Sequence, residues 1–235
     1  MLSAAAALPP VLFLQREVMG MGMTWENLQV ITLQKMFELQ GADLVVDDST
    51  GPYINAMPGA VNEALTLLCT EAYYFKKTGE IVQGGDHPTA PTFSAGQYNA
   101  YDLSSVFDDF YTMYGGYITY TDGESYGIAR NIQTEGNKIL LIPKNITGTW
   151  RVTYSAYPME ITKDTPKETV IDLPPDVTNK IAVYMAGQLY KEDDISLAQI
   201  YMNEFLTWLS MLKESSSKAD SFGSTGTWTS TTGWC

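Results

Sequence analysis

The chain has one histidine, His87, and two cysteines, Cys69 and Cys235, and only 14 lysines and arginines stand against 27 aspartates and glutamates. Each scarcity removes a class of function. One imidazole and two separated thiols do not supply an ordinary zinc site. They do not make an intramolecular disulfide framework either, and they suit a reducing compartment. Any Ser-His-Asp or Cys-His arrangement would rest on His87, which lies in a Gly84-Gly85-Asp86-His87-Pro88 loop far in sequence from a persuasive nucleophile. A formal charge of −13 opposes tight phosphate binding, because DNA affinity comes from basic side chains that displace counterions. It still permits DNA as a neighbour that must pass without sticking. No apolar run is long enough to span a bilayer, and no glycine-rich phosphate motif occurs.

What is present is a globular composition, 45% hydrophobic and 12% aromatic, in a chain of 235 residues that can bury a sizeable core. Paired carboxylates occur at Asp108-Asp109 and Asp193-Asp194. Adjacent side chains diverge on a helix or a strand, so neither pair suits joint acid–base work, and helix capping accounts for Asp193-Asp194. Asp122-Gly123-Glu124 lacks the spaced oxygen ligands of a calcium loop and reads as a hairpin turn. These residues predict no catalytic, cofactor or metal site.

Residues 1–23 differ from the rest. Met1 to Leu14 is apolar, broken at Pro9-Pro10, and lacks the basic start of a signal peptide. Arg16-Glu17-Val18 can be encoded as a sequence resembling a bacterial ribosome-binding site. Translation is therefore expected to begin at Met19, Met21 or Met23, with the preceding leader untranslated or disordered.

Beyond it, Thr24 can cap a helix with apolar positions Trp25, Leu28, Ile31, Thr32, Met36 and Leu39, ended by Gly41. Pro52 to Met57 reads as a short helical turn, and Pro58 as the first position of a longer helix with a stripe of Val61, Ala64, Leu65, Leu68, Ala72 and Phe75. On this reading Asn62 lies off the stripe, Glu63 and Glu71 face solvent, and Lys76 and Lys77 end the helix. From Gly79 to Ala100 the chain reads as a long loop. Leu103 to Phe107 could form a strand, and the segments around Tyr117–Tyr120, Ser125–Ile132, Lys138–Ile142 and Thr149–Tyr157 predict an antiparallel meander. Helix returns at Leu173-Pro174-Pro175-Asp176, with Ile181, Ala182, Met185, Ala186, Gln188 and Leu189 on one face. Asp194 then caps a last helix with Ile195, Ala198, Met202, Phe205, Leu206, Leu209 and Leu212 along its buried side. The short link makes the pair an antiparallel αα-hairpin.

The predicted class is α+β: a bundle of about four main helices with an inserted antiparallel sheet or sandwich and a flexible C-terminal arm. The expected divisions are 1–23, the leader; 24–100, helices and a long loop; 101–171, the β block; 172–218, the αα-hairpin; and 219–235, the arm. The stretch from Leu103 to Ile161 is expected to be separable from the helices. Leu65, Leu68, Ala186, Leu189, Met202 and Phe205 are the expected helical core.

Three segments carry a family resemblance. Leu173-Pro174-Pro175-Asp176, Ala186 through Asp194, and Ala198 through Phe205 together resemble the C-terminal helices of head–tail connector (adaptor) proteins of tailed phages. Tyr53 through Ala64 is similar to the second helix of that family, and the order of helices, β block and helix pair resembles its members with an inserted sandwich. The resemblance implies a structural virion protein without catalytic residues or cofactor. It would form a ring of about twelve copies in the virion neck, after assembly in the host cytoplasm. Its implied partners are the portal above, a stopper or tail-completion protein below, and genomic DNA passing through an acidic lumen without sequence-specific binding. The arm, with Phe222, Trp228 and Trp234, would anchor on the portal. Two rival readings are a tail-completion or stopper protein, and a carbohydrate-binding module stacking sugars on Trp150, Tyr154 and Tyr157.

Overall fold

The computed structural model describes residues 22–37, 47–123, 126–129 and 132–224, with the side chains of 114–117 and 215–224 excepted. The protein is α+β, with five helices and antiparallel sheets among the described residues. The order is β1 (Met23–Thr24), α1 (Trp25–Phe37), α2 (Gly51–Ala72), β2 (Lys76–Gln83), β3 (Phe93–Ala95), β4 (Tyr98–Asp102), α3 (Leu103–Val106), β5 (Phe110–Thr121), β6 (Gly127–Ile128), β7 (Gln133–Glu135), β8 (Ile139–Pro143), β9 (Gly148–Ala156), β10 (Val170–Ile171), α4 (Pro175–Leu189) and α5 (Ile195–Ser224).

The helices form where apolar spacing and caps agree. Thr24 Oγ1 accepts from the Asn27 N–H at 3.2 Å, which starts α1. Trp25, Leu28, Thr32, Leu33 and Met36 are buried, while Ile31 is half-buried. Leu39 and Gly41 lie outside the described residues. At the end of α1, the Tyr201 hydroxyl donates to the Lys35 carbonyl at 2.9 Å and the Tyr190 hydroxyl donates to the Met36 carbonyl. Two tyrosines of the C-terminal hairpin thus satisfy carbonyls that a helix end leaves without partners.

Helix α2 corrects the reading of its proline pair. It runs unbroken from Gly51, with Pro52 in the first turn and Pro58 inside it. Proline cannot donate to the carbonyl four residues back, so the Ile54 carbonyl loses that bond. Burial of Met57, Ala60, Val61, Ala64, Leu65, Leu68 and Cys69 holds the helix through the interruption. The helix stops at Tyr73, which takes the left-handed conformation (φ 49°) usually left to glycine. Phe75, Lys76 and Lys77 therefore lie beyond it, and the two lysines begin strand β2 instead of capping a helix.

The αα-hairpin is antiparallel: Tyr184 packs on Phe205, with centroids 4.7 Å apart, and Gly187 lies against Met202 and Tyr201. A Cβ on Gly187 would come within 3.1 Å of Met202 Cγ, so the small residue sets how closely these helices approach. Asp194 Oδ1 accepts from the N–H groups of Ser196 and Leu197, each at 3.0 Å, and caps α5. Leu65, Leu68, Ala186 and Phe205 are buried, and Leu189 and Met202 are partly buried against the same cluster. The stripe expected on α5 holds for Ala198, Phe205 and Leu209, but Ile195 and Leu206 are exposed, because they lie at the margin of the face that meets α4. The helix continues to Ser224, past the expected start of the arm.

The β region departs most from the sequence reading. The strands do not form a meander; they divide between two sheets, ordered β2-β9-β5-β6 and β3-β4-β8-β7. The stretch read as a loop from Gly79 to Ala100 contains most of β2, all of β3 and most of β4. Leu103–Val106 is a helical turn capped by Asp102, whose carboxylate accepts from the Ser104 N–H at 3.1 Å, so the strand expected there is absent. Both sheets feed one apolar cluster, with Ile81, Ile118, Trp150 and Val152 from the first and Tyr101, Leu140 and Ile142 from the second. Gln83 fastens them together. Its amide donates to the carbonyls of Pro143 (2.7 Å) and Ile146 (2.6 Å) and accepts from Asn99 and Tyr101, both at 3.0 Å.

The β block leaves and rejoins the helices at one point. The Ala156 N–H donates to the Phe75 carbonyl at 2.7 Å, so the ends of the intervening chain are adjacent. After Ala156 the chain belongs to the helical body, because Ile161, Ile171 and Leu173 lie in its core. Asn62, expected off the stripe, holds this return segment: its amide donates to the Ile161 carbonyl at 2.7 Å and accepts from the Ile161 N–H at 2.9 Å.

Excising Leu103 to Ile161, as the sequence suggested, would strip β2 of its partner β9 and remove Ile161 from the helical core. Replacing residues 76–155 by two or three glycines should instead leave a cooperatively melting helical protein by circular dichroism, whereas excising Leu103 to Ile161 should give aggregation. Asn62→Ala should lower unfolding stability by about 1–3 kcal/mol in urea titration, through two unsatisfied backbone groups at Ile161.

Candidate functional site

The residues first tested for catalysis are dispersed. His87 is exposed on its loop. Asp108 is exposed, while Asp109 accepts from the Tyr154 hydroxyl at 2.9 Å and pairs with Lys77. Asp193 accepts from the Tyr53 hydroxyl at 2.5 Å, and Asp194 is occupied as the α5 cap. Asp193 thus meets the start of α2, whereas Asp109 lies beyond its end, where its carbonyl accepts from the Tyr157 N–H at 2.6 Å. The two carboxylate pairs thus lie toward opposite ends of α2, a helix about 33 Å long at 1.5 Å per residue. Among the described residues, no group of three or more His, Cys, Asp or Glu side chains could hold a metal ion. Gly123 takes φ 122° in the turn between β5 and β6, and Glu124 lies outside the described residues.

Two candidate binding features adjoin one another at the junction of helices and sheets. One is an apolar groove of about 220 Å³, walled by Leu65, Phe75, Tyr157, Met159, Ile161 and Val170, with Lys77 and Asp172 at its edge. Tyr157, Met159 and Val170 are each slightly more than half exposed, an unusual density of open apolar surface on so acidic a protein. The other is an aromatic run: Tyr157 meets Tyr111 at 5.1 Å between ring centroids, and Tyr111 meets Tyr73 at 6.5 Å. Sequence reasoning found Tyr157 but neither Tyr73 nor Tyr111, and it missed the groove. The available signal was the Pro158-Met159 pair just past the segment read as a strand to Tyr157, where an apolar residue follows no helix or strand period.

The junction's electrostatics are local. Burial of Asp109 opposes its ionisation, but hydrogen bonds from Lys77 and Tyr154 outweigh that and leave its pKa below the ordinary 3.8. Burial, with the bond to Asp109 second, pushes the Tyr154 phenol up to about 12. Phe107 stacks on Tyr154 at 4.9 Å, and Gly79 has no room for a Cβ, which would come within 2.3 Å of the Phe107 ring. Buried Cys69 donates from Sγ to the Ala156 carbonyl at 3.3 Å, and burial raises its thiol pKa.

Trp150 is 1% exposed and Tyr154 5%, both inside the β cluster. They have no face free to stack on a sugar, which removes the platform expected from Trp150, Tyr154 and Tyr157. Phe222 falls in the last turn of α5 with its side chain outside the described set, and Trp228 and Trp234 lie outside the described residues.

These shifts set a pH dependence. Asp109 has a depressed folded pKa, so its stabilising contribution is complete above the ordinary carboxylate range and is lost as pH falls through the folded value. Tyr154 has a raised folded pKa, so its contribution is complete below pH 10 and is lost as pH rises toward about 12. Melting temperatures should therefore fall on both flanks, and Tyr154→Phe should blunt the alkaline loss. Trp150→Ala should destabilise by about 3–5 kcal/mol as a core truncation.

Compared with known proteins, the chain matches no family model and no curated protein.

Proposed function

We propose that the protein is a head-to-tail adaptor of a tailed phage, a structural subunit that works by assembly and not by catalysis. About twelve copies form a ring in the neck that docks on the portal and extends the DNA channel toward the tail. In this reading α1, α2, α4 and α5 make the ring body, and the two sheets are its inserted sandwich. The observation that carries it is the junction at Phe75 and Ala156: the β block is inserted between helices α2 and α4, whose sequences bear the family resemblance. The Gly187 and Met202 positions of that resemblance meet in the αα-hairpin where a larger residue would not fit, so the motif has a packing reason.

The charge supports the same reading. Lys77, Lys138, Arg151, Lys167, Lys180 and Lys213 each pair with an acid, while Glu63, Asp86, Asp108, Glu135, Glu160 and Asp164 are exposed. A lumen lined by exposed acids repels the DNA backbone and gives it no counterion-release trap. The long α5 carries the chain to Ser224, from which Trp228 and Trp234 would reach the portal. A tail-completion or stopper protein shares the neck location and is separated by what it touches.

Co-expression with the portal protein of the same genome tests the reading. The expected product is a ring complex with one copy of this chain per portal subunit in native mass spectrometry and a density below the portal in cryo-electron microscopy. Binding only to tail proteins would overturn the adaptor role in favour of a stopper. Deleting Phe222 to Cys235 should leave the melting temperature of the free protein unchanged and weaken portal binding at least tenfold.

A further inference from the structure

Helix α5 leaves one long face uncovered, and from Ile195 to Met211 that face carries almost no charge. Ile195, Ile200, Leu206 and Met211 are 47 to 66% exposed. The exposed residues among them are serine, glutamine, asparagine and threonine, and the single acid, Glu204, is held by Lys180 at 2.8 Å. A surface helix normally turns charged side chains outward, and this chain has 27 acids to place. At about 100° per residue, Ile195 and Leu206 project within about 20° of one another, as do Ile200 and Met211. The two apolar pairs flank a line of short polar side chains, Ser196, Asn203 and Ser210. Contiguous apolar surface of this kind on an acidic protein marks a contact face.

The pattern reads the same from either end. Apolar residues stand three and eight positions to each side of Asn203, and a serine stands seven to each side. We propose that this face is the contact with a second copy of the chain, the two α5 helices packing antiparallel about a two-fold axis at Asn203. Ile200 then stands level with Leu206 of the second copy, and Ile195 level with its Met211. A second copy brings the same charge of −13, so two copies meet best where no like charges oppose. A partner recognised by charge would need acids on the face, and the one acid present is already paired. The face is about 24 Å long at 1.5 Å per residue, and a single helix pair covers less than the ~800 Å² per partner of a standard interface. The dimer is therefore weak, dissociating in the micromolar range. A two-fold contact is complete with two copies and does not propagate into a ring. It describes the free protein and does not depend on the adaptor reading.

Sedimentation equilibrium of the full chain, with reductant to keep Cys235 from linking copies, tests the contact. The average mass should rise from one chain toward two between about 1 and about 100 μM, and added salt should tighten the dimer by screening the repulsion. Ile200→Glu with Leu206→Glu should weaken association at least tenfold and leave the melting temperature of the dilute protein unchanged, since both positions are exposed. A monomer at every concentration, or a dimer that the double substitution leaves intact, would overturn the proposal. Loss of portal binding by that variant, with no self-association in the parent, would assign the face to the portal and overturn it too. A cross-link tests the register. Helix axes about 8–10 Å apart, with Cα atoms ~2.3 Å from each axis, leave about 5 Å between the two Asn203 Cα atoms, within disulfide reach. In a full chain carrying Cys235→Ser, Asn203→Cys should therefore oxidise to a linked dimer. Ser196→Cys in the same chain should not, because its two copies stand about 21 Å apart along the helices. Linking at Ser196 as fast as at Asn203, or at neither, would overturn the antiparallel contact.

Discussion

The short stretch where α2 gives way to β2 governs the rest of the structure. Tyr73 turns the chain in a left-handed conformation, Phe75 packs against both apolar cores, and its carbonyl receives the Ala156 N–H. One residue thus bridges two cores that otherwise have separate members. Cys69 meets the Ala156 carbonyl one helical turn earlier, which fixes the end of α2 against β9 from a second direction. Because loop-closure cost rises only slowly with loop length, a large insertion whose ends lie side by side disturbs its host little.

The same geometry explains where open apolar surface remains. The chain leaving Ala156 must cross the outside of α2 before entering the helical core at Ile161, and it leaves Tyr157 and Met159 uncovered on the way. β10 closes the far side by pairing with β1. The groove is thus a consequence of the insertion: the return segment packs at its two ends, not along its whole length. Six cations among the described residues are held in surface ion pairs, which contribute little stability individually. Their effect is to neutralise selected acids and leave the remaining negative charge facing solvent.

Two details show polar groups settling what apolar burial leaves open. Gln83 uses its amide donors and its carbonyl on β4, the end of β8 and the loop that follows it, so a buried polar side chain becomes a fastener between sheets. Asn62 does the same for the return segment. Either residue could be read from sequence as a surface position, because its partners lie 16 to 99 residues away in the chain, beyond the reach of local periodicity.

The sequence by itself determined the helices and several of their limits. Apolar residues at three- and four-residue spacing marked the buried faces of α1, α2 and α4, and Thr24 and Asp194 announced the caps of α1 and α5, because these signals lie within one or two turns of the chain. It also determined the turns at Gly123 and Gly136, which need positive φ. Only the tertiary structure decided that Lys76–Gln83 is a strand, since that segment is ordered by β9, far along the chain, and Gly79 weakens any local signal. Only it decided that the strands split between two sheets, that Trp150 and Tyr154 face inward, and that Tyr73, Tyr111 and Tyr157 meet beside an open groove. Strand pairing and surface exposure depend on residues distant in sequence, and periodicity is blind to them.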